Sequence, residues 1–152
     1  MSRATPVLRA GMTAAYFNGR SPGHLPGLVG LSVTSVEPGA FESRLLVRKD
    51  LMAPNGFLHA ATVVALADTS CGYACVAHLP EGASGFTTLE LKANFLGTTR
   101  EGAISCRAVP AHLGRTTQVW EAEVTIEGTG KRIALFRCTQ MVLWPNPGAA
   151  TS

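Results

Sequence analysis

Asp68 is the only formally charged residue between Asp50 and Glu81, and it stands in the middle of a long apolar run. The run reads His59-Ala-Ala-Thr-Val-Val-Ala-Leu-Ala-Asp68-Thr-Ser-Cys-Gly-Tyr-Ala-Cys-Val-Ala-His78. No polar stripe recurs at helical spacing, so the pattern predicts a helix buried on every side. Such a helix must be covered by something large, and that requirement constrains the fold more than any other feature of the chain. A carboxylate in the middle of it gives up hydration unless it is paired or protonated. Buried, perturbed carboxylates are default candidates for acid–base or nucleophilic chemistry. The structural alternative is a carboxylate that bonds a neighbouring backbone.

The rest of the chain supplies strands to cover the helix. Residues from Leu8 to Phe17 predict a short helix, followed by a loop dense in breakers from Asn18 to Gly27. Strand signals begin at Leu28, turn at Pro38-Gly39 and return from Phe41 to Val47 as a hairpin. After the helix, which ends near His78 before Pro80, four strand patterns follow: Phe86–Phe95, Ala103–Val109, Thr116–Ile126 and Arg132–Trp144. Gly128-Thr-Gly130 makes the turn into the last of them. Two strands, one buried helix and four strands in meander predict an α+β architecture in which a curved antiparallel sheet wraps the helix. That sheet has open edges, which favours dimerisation. With 46% hydrophobic and 15% charged residues, the 152-residue chain reads as one domain, 1–152. Its core covers about 28–144, and a flexible tail rich in Gly, Ala and Ser covers 145–152.

The formal net charge of +3 is small and dispersed, which argues against nucleic acid or a membrane surface as partner. The apolar helix carries a charge, a glycine and flanking histidines, so it is rejected as a membrane span. The first residues lack the apolar run of a signal peptide, and a cytoplasmic location is expected. Cys71, Cys75, Cys106 and Cys138 form no C-x-x-C pair and read as small buried hydrophobes in a reducing compartment. His24, His78 and His112 lack metal-like spacing, and no metal is expected. Phe57, Phe86, Phe95 and Trp120 read as core, with an aromatic pocket as the alternative.

Five short segments, in order, carry a resemblance: Asn55-Gly-Phe-Leu-His59-Ala-Ala, Ala65-Leu-Ala-Asp68-Thr, Thr88-Leu-Glu-Leu-Lys-Ala-Asn-Phe95, Glu101-Gly102 and His112-Leu-Gly-Arg-Thr116. Over roughly Leu28 to Leu143 the chain resembles a hotdog-fold acyl-CoA thioesterase of the phenylacetate-degradation type, similar to one class of 4-hydroxybenzoyl-CoA thioesterase. In that pattern a Gly-x-x-His precedes a catalytic acid by nine residues, the spacing from His59 to Asp68 here. The chain departs from it in three places. Ala60 and Ala61 replace two glycines after the histidine, Ala53 stands where many relatives carry an amide, and Gly97-Thr98 replaces Arg-Pro.

The resemblance implies hydrolysis of an acyl-CoA without a cofactor. Asp68 would attack the thioester directly or act as general base on water. Backbone N–H groups at Ala60 and Ala61, in the first turn of the helix, suit an oxyanion. His59 would take part in the chemistry or serve a positioning role at the helix start, and Asn55 would supply the amide that relatives carry before the histidine, although it also fits a simple turn before Gly56. Thr88 would reach the partner subunit's site, and Arg115 and Thr116 would contact coenzyme A, with the guanidinium on phosphate. Ala61, Val64, Ala65, Cys71, Gly72 and Cys75 are expected on the face of Asp68. The assembly expected is a homotetramer, a dimer of dimers. Two other readings share these residues: a hotdog dehydratase acting on hydroxyacyl thioesters, and a non-catalytic acyl-CoA-binding or regulatory module.

Overall fold

The computed structural model describes residues 5–146 and 148. Of the expected tail, residues 147 and 149–152 lie outside the described residues. The chain opens with two short helices, α1 (Ala14–Arg20) and α2 (Leu25–Val29). A hairpin of β1 (Ser32–Glu37) and β2 (Ala40–Leu46) follows, then the long helix α3 (Ala60–Ala77). Four strands complete the fold: β3 (Gly85–Phe95), β4 (Ala103–Leu113), β5 (Thr117–Ile126) and β6 (Arg132–Leu143).

The N-terminal helices correct two boundaries. The predicted Leu8–Phe17 helix starts instead at Ala14, because Gly11 takes φ of 80° and the Thr13 hydroxyl caps Tyr16 N–H at 3.1 Å. Residues 25–29, predicted partly as loop and partly as strand, form α2. Pro26 fits its first turn, and Gly30, at φ 77°, ends it in the left-handed conformation.

All six strands join one antiparallel sheet in the order β1-β2-β4-β5-β6-β3. The expected four-strand meander is therefore only β4-β5-β6. After α3 the chain runs to the far edge, where β3 pairs with β6 alone, and β4 then returns to pair with β2. Propensity and alternation identify the strands but carry no information about which neighbour each one takes. The α+β architecture, a curved sheet around one long helix, is the one expected.

By length and composition alone α3 would suit a membrane span; here the sheet is its solvent. Leu66, Cys71, Ala74 and Cys75 are wholly buried with Phe41, Ile104, Trp120, Val124 and Ile133 of the strands. Ser70, also buried, bonds the Leu66 carbonyl at 2.6 Å and Ser43 of β2 at 2.7 Å, which joins helix and sheet without leaving a polar group unpaired. Contrary to the sequence pattern, which predicts burial on every side, the helix is covered on one side only. Ala60 and Ala61 are exposed, and Val64, Ala65, Asp68, Thr69, Tyr73 and Val76 are only partly covered. The sheet wraps one side, so a stripe of apolar helix faces outward in the single chain.

Of the four aromatic residues read as core, Trp120 alone is fully buried, whereas Phe57 and Phe95 are exposed. The Trp120 indole N–H donates to Gln118 Oε1 at 2.8 Å, and Gln118 Nε2 donates to the His78 carbonyl at 3.0 Å. Trp120→Ala should therefore destabilise by about 3–5 kcal/mol from lost volume, and it also orphans a buried amide oxygen. Urea unfolding should show a lower midpoint at an unchanged slope; a shift within error would mean that the site collapses to fill the space.

Candidate active site

A cavity of about 370 Å³ opens along the uncovered flank of α3. Asp68, Thr69, Gly72, Tyr73 and Val76 line it from the helix, Phe86 and Thr88 from β3, and Tyr16, Phe17, Arg20 and Pro26 from the N-terminal segment. Thr88 thus joins Asp68 within one chain, where the sequence reading assigned it to a partner's site. The face expected for Asp68 needs a second correction. Cys71 and Cys75 point into the sheet and are wholly buried, and Tyr73 and Val76 take their place beside Gly72.

Asp68 is half-buried, and its Oδ1 is buried with no hydrogen-bond partner. Among the described residues no ion pair includes it. Burial pushes its carboxyl above the usual carboxylate range. Arg20 is the one cation among the described lining residues, with its guanidinium 5.2 Å from the Tyr16 ring centre. The structural alternative for Asp68, a bond to neighbouring backbone, is not what Oδ1 does.

The thiols offer no competing nucleophile. All four cysteines are free and buried. Burial pushes Cys75 and Cys106 up to about 12, and the neighbouring Cys138 together with burial raises Cys71 as well.

A second group of candidates lies at the start of α3. His59 is its N-cap: the ring Nδ1 accepts from Ala61 N–H at 2.9 Å. Of the two amides expected as oxyanion donors, Ala61 is therefore engaged. Ala60 N–H has no protein acceptor among the described residues and is solvent-exposed. Asn55 closes the preceding turn, its Oδ1 accepting from Phe57 N–H at 3.1 Å. Phe57 is covered by Arg100, whose guanidinium is 4.2 Å from the ring centre.

The two groups do not meet in one chain. Asp68 follows Ala60 by eight residues in the same helix, which at about 1.5 Å per residue separates them by about 12 Å along the axis. An aspartate side chain reaches only a few ångströms, too short to bring both to one carbonyl.

Arg115 and Thr116 lie elsewhere again, in the β4–β5 connection. Trp144 ties this turn down: its indole N–H donates to the Arg115 carbonyl at 3.1 Å, and the guanidinium lies 4.4 Å over its ring. The Thr116 carbonyl accepts from Val142 N–H at 2.9 Å. Arg115 borders a larger cavity of about 910 Å³, together with Arg9, His112 and the end of α3. His78, also on that border, is structural. Its Nε2 accepts from Gly39 N–H at 2.9 Å, its Nδ1 lies 2.8 Å from the Ala74 carbonyl, and burial lowers its pKa.

Sequence reading missed Tyr16, Phe17, Arg20 and Tyr73 at the cavity, and Gln140 behind it. Tyr73 follows Asp68 by five residues, about 140° around the helix, outside the three- and four-residue spacings that define a shared face. Contacts from α1 depend on how the chain folds back, which no local pattern encodes.

A sequence profile of the thioesterase superfamily matches residues 55–133, a span that takes in Asn55, His59, Asp68, Thr88, Arg115 and Thr116. The 1,4-dihydroxy-2-naphthoyl-CoA hydrolase of Listeria monocytogenes is 32% identical over 73% of this chain and 89% of its own. The Escherichia coli enzyme of the same name is 28% identical over 87% of this chain and 96% of its own. The crystal structure of a Haemophilus influenzae thioesterase superposes with a TM-score of 0.87 at 27% identity, covering 95% of this chain and 99% of that one. Architecture, motif order and these relatives agree: the chain belongs to the thioesterase superfamily and has the hotdog fold.

Proposed function

We propose that the protein hydrolyses an acyl-CoA thioester to the free acid and coenzyme A, with Asp68 as the reacting carboxylate. The observation that carries this reading is the buried, unpartnered Oδ1 of Asp68 in an aromatic-lined cavity. Two routes use the same group. As nucleophile, the carboxylate forms a bond to the thioester carbon, the thiolate leaves, and water cleaves the resulting anhydride. As general base, it takes a proton from water as that water attacks the thioester carbon, and the thiolate leaves when the tetrahedral intermediate collapses to the acid. Thiol release over a panel of acyl-CoAs tests the reading. Saturable binding without turnover would favour a binding module instead, and hydration or dehydration of hydroxyacyl thioesters would favour a dehydratase.

We further propose that the site is shared between two copies of the chain. Ala60 N–H of one copy would stabilise the oxyanion formed by attack at Asp68 of the other, with His59 and Asn55 beside that amide. The helix-axis separation of about 12 Å supports this division. So does the edge strand β3, whose Leu89, Leu91 and Phe95 are 55%, 43% and 47% exposed and await a covering surface. Pairs of such dimers would form the homotetramer. Four free, buried thiols suit a cytoplasmic setting.

Arg115 and Thr116 are proposed to hold coenzyme A, with the guanidinium on its phosphates. Arg115→Ala should raise KM for acyl-CoA with a smaller change in kcat, and should affect short pantetheine thioesters much less. Equal loss on both substrate types would instead mean that the residue holds Trp144 and the end of β6 in place.

Two of the relatives named above, those of Listeria monocytogenes and Escherichia coli, are hydrolases of 1,4-dihydroxy-2-naphthoyl-CoA. The lining of the cavity by Tyr16, Phe17, Tyr73 and Phe86 supports an aryl acyl group here as well.

A further inference from the structure

Only two residues among those described hold buried side-chain polar atoms without a hydrogen-bond partner, one on α3 and one on the strand behind Gly72 of the same helix. One is Asp68. The other is Gln140 of β6, which is wholly buried and leaves both Oε1 and Nε2 unused. Its neighbour in register on β5 is Gln118, equally buried, and there the amide is fully engaged by Trp120 and the His78 carbonyl. The fold therefore satisfies one buried glutamine and leaves the one beside it unsatisfied. An unpaired buried amide is a standing cost that an apolar residue of similar size would not incur.

Its position indicates what it meets. Gln140 Nε2 lies 4.0 Å from where a Cβ on Gly72 would stand, and Gly72 lines the Asp68 cavity one helical turn beyond the carboxylate. The absent side chain leaves an opening in the helix wall. Phe86 closes it: its ring tip lies 3.1 Å from that same point, and Phe86 is a half-buried lining residue. Thr88, the other β3 lining residue, is paired in register with Gln140. Gln140 does not itself line the cavity, and a group bound there would have to turn the Phe86 ring aside to reach the amide.

We infer that Gln140 is a specificity-determining residue, whose carboxamide hydrogen-bonds a hydroxyl carried by an aryl acyl group bound in the Asp68 cavity. This rests on the acyl-CoA hydrolase reading. A hydroxyl both donates and accepts, and so does the amide, so one substituent can use both idle atoms. An acyl group without the hydroxyl turns Phe86 aside and leaves the amide unpaired. A site of that kind rejects the analogue more strongly than a purely apolar pocket rejects a missing methylene.

The test compares kcat/KM for benzoyl-CoA and its three monohydroxylated isomers, in the wild type and in Gln140→Leu. The wild type should prefer at least one hydroxylated isomer by about ten- to a hundredfold. Gln140→Leu should remove that preference by losing activity on the hydroxylated isomer, keep benzoyl-CoA within about threefold, and melt no lower than wild type. Should the leucine variant fail to fold, Gln140→Met keeps the chain length and replaces it. A wild type without preference, or a variant that retains it, overturns the assignment. So does a uniform loss on all four thioesters with a lower melting temperature, which marks Gln140 as structural. If the wild type releases thiol from none of them but does so from another acyl-CoA, the assignment is overturned; if it releases thiol from no acyl-CoA, the hydrolase reading fails first. Calorimetric binding of the four free acids then carries the test, with the same preference and the same loss required.

Discussion

Asp68→Asn is expected to lower kcat for thiol release by at least about a hundredfold, the low end of what a positioned acid or base supplies, while the fold persists. The amide keeps the shape of the side chain and removes its charge and basicity. No ion pair or hydrogen bond to Oδ1 is lost, because none exists among the described residues. The pH dependence follows from burial, which raises the carboxyl pKa. The reactive form is ionised, so kcat/KM should climb with pH along a limb centred above the ordinary carboxylate range, and the variant should lack that limb. Stability moves the other way. Below the unfolded pKa both states are protonated and burial costs nothing. As pH rises the unfolded state ionises first, and stability is lost until the folded pKa has been passed. Asp68→Asn should therefore melt above wild type at neutral pH, and the gap should close in acid. A folded variant with near-normal kcat would make Asp68 structural.

Breaking the β3 edge should have an effect of similar size. Leu91 and Phe95 pair in register with Cys138 and Ala134, both buried, so they lie on the face of the sheet that holds α3. Yet α3 does not cover them. A Leu91→Asp, Phe95→Asp double variant should sediment at the mass of one 15.9 kDa chain, where wild type sediments at a multiple of it. Thiol release should fall by about a hundred- to a thousandfold, the range for losing one oxyanion donor, because Ala60 N–H would come from the second copy. Far-ultraviolet dichroism should stay unchanged. A wild type that is monomeric at micromolar concentration with full activity would refute the shared site, as would a monomeric variant that retains turnover.

Much of this architecture is legible in the sequence because its largest constraint is local. An apolar helix with one acid needs a cover, and alternating segments on both sides supply it. The strand segments Phe86–Phe95 and Arg132–Trp144 differ from the observed strands by a single residue at an end. Pairing is not legible. Nothing in the composition of β3 says that it joins β6 at the far edge rather than β4, and the misread meander follows from that. The boundary at Ser32 was missed because Pro26 and Gly30 look like loop residues, yet they serve as the first turn and the terminator of α2. At the site, the spacing from His59 to Asp68 singles out the acid. It does not say that the two ends of the helix are too far apart to serve one carbonyl, which follows from the helical rise. Gln140 was invisible for a different reason. A glutamine in a strand carries no sign of being unsatisfied until its neighbours are known, and Gln118 beside it has the same residue type, burial and strand context with the opposite outcome.

The strand order also sets a timetable for the chain as it is made. α3 emerges from the ribosome before β4, β5 and β6, and β3 has no partner until β6 follows. The sheet can grow from the β1–β2 hairpin through β4 and β5, but its far edge waits for the C-terminal strand. Throughout that interval a helix apolar enough for a bilayer has only part of its cover, which is when nascent chains are most exposed to aggregation and most in need of chaperones. Shortening the chain within β6 would therefore do more than trim an edge. It would strand β3, remove the wall that Phe86 and Thr88 give the Asp68 cavity and leave a product that is synthesised in full view of the cell's quality control.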